Sequence, residues 1–282
     1  MSALMVSLWI FILFNALFLL VCFAIASFLP ASFLGGRARA VLTWLPPFMR
    51  GDALRGWAAT TAEQLTRKRL AGKPTGETAV RLAKEVEEGA MEAMLPTAGP
   101  AELKQIVACP EAGQERIGVT APEALAIAAY VRQTLPRAEQ ERIYAMAVEN
   151  VITMALADAA TDEPGSPSAP PLPCPLQGGG HVCCVYATRP LRCRPLHAIA
   201  VAKEMRSHSE SLADRPAEAP GEIRHEEIVA EGIEIGLTRA LKSAGLDAEV
   251  YELNSALATA LETPDAAERW AKGENVFHSP RA

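Results

Sequence analysis

Four of the six cysteines in this 282-residue chain lie between Cys174 and Cys193, and a fifth, Cys109, stands upstream. The stretch reads Cys174-Pro175-Leu176-Gln177-Gly178-Gly179-Gly180-His181-Val182-Cys183-Cys184-Val185-Tyr186-Ala187-Thr188-Arg189-Pro190-Leu191-Arg192-Cys193-Arg194-Pro195-Leu196-His197. Thiolates are soft ligands, so several gathered by irregular backbone suit zinc, iron or an iron–sulfur cluster. Gly178 to Gly180 lets the chain fold back tightly between them. Four thiolates around one zinc ion leave a formal charge of about −2. Arg189, Arg192 and Arg194 can offset that charge, favour deprotonated sulfur and so support a bound metal. The candidate ligands within this stretch are its four cysteines, Cys174, Cys183, Cys184 and Cys193. No Cys-x-x-Cys pair occurs, so spacing alone leaves two alternatives open: a disulfide in an exported domain, or small inert thiols in a core.

Other chemistry is weakly signalled. Glu222-Ile223-Arg224-His225 has the Glu-x-x-His spacing of di-iron bundles, but in a single copy it reads as a charged helix start. His197, His208 and His278 stand alone, and Cys22 lies in an apolar run. Phosphate loops, nucleophile elbows and Ser-His-Asp arrangements are missing. A net charge of −6 has the wrong sign for a protein held to nucleic acid by its overall field.

The elements that carry the loop fall into two environments. From Leu4 to Leu29 no charged residue occurs, and Ser7, Asn15 and Ser27 are the polar interruptions. About 20 apolar residues suffice for a helical span, so the segment is expected to cross a bilayer. Ala24-Ile25-Ala26 has the form of a signal-peptidase site. Against cleavage, no Lys or Arg precedes the run, and it exceeds the usual apolar core of roughly 7–15 residues. Arg37, Arg39, Arg50 and Arg55 follow the span, which places the remainder on the cytoplasmic side of a single-pass inner-membrane protein. The segment Val41 to Met49 is too short to span, and Trp44 and Phe48 suit it either to the membrane surface or to a Pro-stopped loop.

Beyond Arg50 the apolar period is helical almost throughout and no alternating strand stands out, so the body is expected to be mainly α. Asp52 to Leu70 and Thr75 to Leu95 read as polar, solvated connector helices, the second opening with Thr75 three residues before Thr78. Ala121 to Leu135 reads as a buried helix with Thr120 as N-cap, Pro122 in the first turn and Glu123 near the positive end of the dipole. Ala138 to Ala160 puts Ile143, Ala147, Val151, Met154 and Ala155 on one stripe, with Asn150 off it. Thr161 to Pro173 is a Pro-rich loop. A stripe of Val229, Gly232, Ile233, Gly236, Leu237, Ala240 and Leu241 follows, and its two glycines would admit a neighbouring backbone. Gly245 ends that helix, Asp247 is the expected cap of the next, and Val250, Leu253, Leu257 and Leu261 form its buried face.

Cys174-Pro175-Leu176, Cys183, Val185-Tyr186, Arg189-Pro190 and Cys193-Arg194 resemble, in order, the C-terminal motif of the bacterial YkgJ-like cysteine-cluster family. Val119 to Ala128 is similar to the helix that follows the family's first cysteine group, and Tyr251-Glu252-Leu253 and Arg269-Trp270 are similar to its tail. The resemblance spans about Ala108 to Phe277 and implies a zinc- or iron-chelating domain. This chain keeps only Cys109 of the first cysteine group, with Gly113, Gln114 and Glu115 where further cysteines would stand, so the resemblance implies Cys109, Cys174, Cys183 and Cys193 as ligands, with Cys184 or His181 as substitutes. The expected layout is a transmembrane anchor over 1–35, juxtamembrane and connector helices over 36–100, and a helical cysteine-cluster domain over 101–282 that includes the Pro-rich loop 161–173. The expected function is membrane-anchored metal binding through zinc or iron. The alternatives are a metal-free helical scaffold that has lost the cluster, or an iron–sulfur-dependent protein-modifying enzyme.

Overall fold

A computed structural model describes residues 47–94, 116–160, 172–179, 182–194 and 220–277. The expected membrane span with Cys22, most of the 41–49 segment, Cys109, most of the Pro-rich loop, His181, His197, His208 and His278 lie outside the described residues. Among the described residues no helix is long and apolar enough to cross a membrane.

The body is mainly helical. The helices are α1 (Pro47–Arg69), α2 (Gly76–Met94), α3 (Ala121–Thr134), α4 (Arg137–Ala160), α5 (Pro220–Ser243), α6 (Leu253–Glu262) and α7 (Ala266–Ala271). A two-stranded antiparallel ribbon, β1 (Gly118–Thr120) with β2 (Val250–Glu252), pairs Val119 with Tyr251. Strands of three residues are too short to show a two-residue period, which is why the sequence read as purely helical here.

The expectation of solvated connectors over Asp52–Leu70 and Thr75–Leu95 is corrected. Leu54, Trp57, Ala58 and Ala62 of α1, with Leu82, Val86 and Ala90 of α2, share one core with Val119, Ile127, Leu237, Leu257 and Trp270. Trp57 is 0% exposed. The buried faces of α1 and α2 are built largely of alanine, whose weak hydrophobicity hides an apolar stripe among charged residues. The start of α2 is as read: Thr78 N–H donates to Thr75 Oγ1, and Thr75 N–H donates back to Thr78 Oγ1.

The most extensive helix pairing among the described elements is α1 on α5. Its cause is the pair Gly232 and Gly236, as the sequence stripe suggested. A Cβ at Gly236 would stand 2.0 Å from the Ala59 carbonyl oxygen, and one at Gly232 would stand 2.5 Å from that of Arg55. Neither obstacle is a flexible side chain, so the helices themselves must part. Gly236→Ala is therefore expected to cost about 1–3 kcal/mol despite alanine's better helix propensity. Urea denaturation monitored by circular dichroism measures it, and Gly56→Ala, where the added methyl meets nothing within 4 Å, is the control.

On α4 the buried stripe is Ile143, Ala147, Asn150 and Met154, while Val151 is half-buried and Ala155 exposed. Asn150, placed off the stripe by the sequence reading, is 3% exposed. It donates to Pro173 O and to Asn254 Oδ1, each at 2.8 Å, and Asn254 donates to Glu252 Oε1 at 2.6 Å. A buried amide is stable once its donors are satisfied, and this one ties the incoming edge of the cysteine loop to α6. Glu252 also caps α6 by accepting from Ser255 N–H at 2.9 Å. Asp247 instead closes the preceding turn, accepting from Glu249 N–H and Tyr251 O–H, because β2 intervenes before the helix starts.

Candidate functional site: the cysteine loop

The loop begins as a short hairpin. Gln177 N–H donates to Cys174 O at 3.1 Å, Gly178 N–H to Val182 O at 2.8 Å, and Cys184 N–H to Leu176 O at 2.9 Å. Gln177 and Cys183 form an isolated antiparallel bridge, which sets the two arms of the hairpin side by side. A 3-10 turn over Tyr186–Thr188 follows, and Leu176, Val185 and Leu191 plug the loop into the hydrophobic core.

Two buried carboxylates hold the second half in place. Glu87 of α2, 2% exposed, accepts from Arg194 Nη2 at 3.0 Å and Nε at 3.2 Å. Glu123 of α3, 5% exposed, accepts from Leu191 N–H at 2.8 Å through one oxygen, and from Thr120 N–H and Oγ1 at 2.7 and 2.8 Å through the other. Burial holds both carboxyls above the ordinary glutamate range; for Glu87 the neighbouring Glu123 adds to the rise and Arg194 opposes it. The sequence reading missed both anchors. For Glu123 the signal was its place in the Thr120-x-x-Glu123 capping box. For Glu87 it was a carboxylate lying on the apolar stripe of Ala79, Ala83, Val86 and Ala90.

Cys174, Cys183, Cys184 and Cys193 are half-buried thiols. They divide between two arginines. Cys183 and Cys193 lie within electrostatic reach of Arg189, whereas Cys174 and Cys184 lie within reach of Arg142 on α4. Arg189 stacks on the Tyr186 ring, 4.4 Å from its centroid, and its Nε and Nη1 are buried without an acceptor. Arg192 and Arg194 are turned elsewhere: Arg192 makes a bidentate pair with Glu234 at 2.8 Å, and Arg194 binds Glu87. Arg142, which the sequence reading did not single out, pairs with Glu139 and donates to Pro175 O at 3.1 Å.

Cys184 Sγ donates to Leu176 O at 3.0 Å, and burial pushes its thiol up, aided by Glu139 and opposed by Arg142. Among the described residues no three Cys, His, Asp or Glu side chains converge as a metal site. The donor chemistry of Cys174, Cys183 and Cys193 suits a soft metal, but these thiols do not complete a coordination shell alone. Cys109 and His181, the other ligands expected from the sequence, lie outside the described residues. No family model, curated protein or solved structure matches this chain.

Proposed function

We propose that the chain is a membrane-tethered metal-binding protein, related to the YkgJ-like cysteine-cluster family, that holds zinc or iron at the cysteine loop on the cytoplasmic side. The observation that carries this reading is a preorganised loop: one short segment, pinned by Glu87 and Glu123, carries Cys174, Cys183 and Cys193, the last two within electrostatic reach of Arg189. Cys109 is the expected fourth ligand. An iron–sulfur cluster, with a protein-modifying activity, is the form in which the same site would be an enzyme.

Anaerobic purification of the full chain in detergent, followed by metal analysis and an absorption spectrum, tests it. The expected result is about one metal per chain, lost in both Cys183→Ser and Cys193→Ser, with visible absorption if the metal is an iron–sulfur cluster. Substoichiometric metal in the parent chain, or unchanged content in both variants, overturns it. That outcome would favour a second reading, a metal-free helical scaffold, which draws support from the Cys184 thiol bonded to a carbonyl and from the division of the described cysteines between two arginines.

A further inference from the structure

Beneath the loop, Glu87 and Glu123 are neighbouring carboxyl groups inside the core, bound to Arg194 and Leu191, two loop residues three positions apart. Their environments differ. Glu123 is surrounded by three donors, Thr120 N–H, Thr120 O–H and Leu191 N–H, which stabilise a negative charge. Glu87 has one oxygen on Arg194, and its Oε1 is buried with no donor directed at it. A buried carboxylate oxygen without a donor is costly, and two neighbouring carboxylates cannot both ionise cheaply. A proton on Glu87 Oε1 removes both difficulties, because it is donated to Glu123.

We propose that Glu87 and Glu123 share one proton, and that this proton is the latch fastening the cysteine loop to the helical core. With it, the buried trio of Glu87, Glu123 and Arg194 is neutral overall. Without it, two neighbouring buried carboxyls are both charged, and Glu87 Oε1 carries its charge with no donor to hold it. The other charges facing the trio among the described residues include Glu234 of α5 and Arg192 of the loop, which pair with each other, and the cation of Arg189, which stacks on the neutral Tyr186 ring and acts on Arg194. Loop docking thus depends on pH independently of any metal.

The sign follows from which state holds the proton. The docked state keeps it above the ordinary glutamate value of 4.5, where the undocked or unfolded state has lost it. Docking is therefore complete at low pH and weakens as pH rises, up to the raised value of the buried pair. One retained proton makes the equilibrium constant fall about tenfold per pH unit in that window. Glu87→Gln keeps an acceptor for Arg194 and supplies a permanent N–H donor to Glu123, so it removes this dependence.

The test compares the full chain with Glu87→Gln in detergent from pH 5 to 8, using urea unfolding and amide exchange of residues 186–194 corrected for intrinsic rates. The expected result is a parental opening equilibrium that rises with pH, approaching tenfold per unit, against a flat profile in the variant. Parallel profiles overturn the proposal. If the variant does not fold, the parental exchange profile decides by itself, since a docking equilibrium flat across this range is incompatible with a shared proton.

Discussion

Glu87→Ala is expected to destabilise the protein by about 3–5 kcal/mol, the cost of stripping one partner from a buried ion pair. The magnitude follows from where the pair sits: the Glu87 side chain is 3% exposed and that of Arg194 14%. Truncation leaves the Arg194 guanidinium without its acceptor and Glu123 without its neighbour. Arg192→Ala, by contrast, removes a pair in which the arginine side chain is 53% exposed and is expected to cost less than about 1 kcal/mol. Urea unfolding of the two variants, with amide exchange over the loop, checks both values. A Glu87→Ala chain as stable as the Arg192→Ala chain would mean that the Glu87–Arg194 contact does not fasten the loop.

The second large effect belongs to Trp57→Ala. Loss of a wholly buried indole is expected to cost about 3–5 kcal/mol and to broaden or abolish the unfolding transition of the whole body. A tryptophan on a solvated connector would change stability by less than about 0.5 kcal/mol. Denaturant titration distinguishes these by the midpoint shift. The answer also fixes how α1 relates to the rest: because α1 lies on α5 through Gly232 and Gly236, it belongs to the core that carries the cysteine loop.

Much of the helical body was legible because burial there follows simple periodicity. The α5 stripe is buried as read, and α3 starts at the Thr120 cap. The α1 and α2 faces were misread because alanine stripes look neutral when charged residues flank them. Asn150 was placed on the wrong face because an amide was assumed to seek water, whereas its donors find Pro173 O and Asn254 Oδ1 inside. The ribbon of β1 and β2 joins residues more than a hundred positions apart, and no local pattern announces such a pairing.

At the cysteine loop the division is sharper. Residue types and local spacing alone determined that four thiols, a run of glycines and three arginines share one segment, since these are properties of neighbouring positions. Which arginine faces sulfur and which faces a carboxylate was decided only by tertiary packing: Arg189 is left near Cys183 and Cys193, while Arg192 and Arg194 are drawn to Glu234 and Glu87. The physical reason is that charge pairing acts through space in a medium of low polarity, and the partners came from helices about 40 and 100 residues away in the chain, beyond the reach of any sequence window.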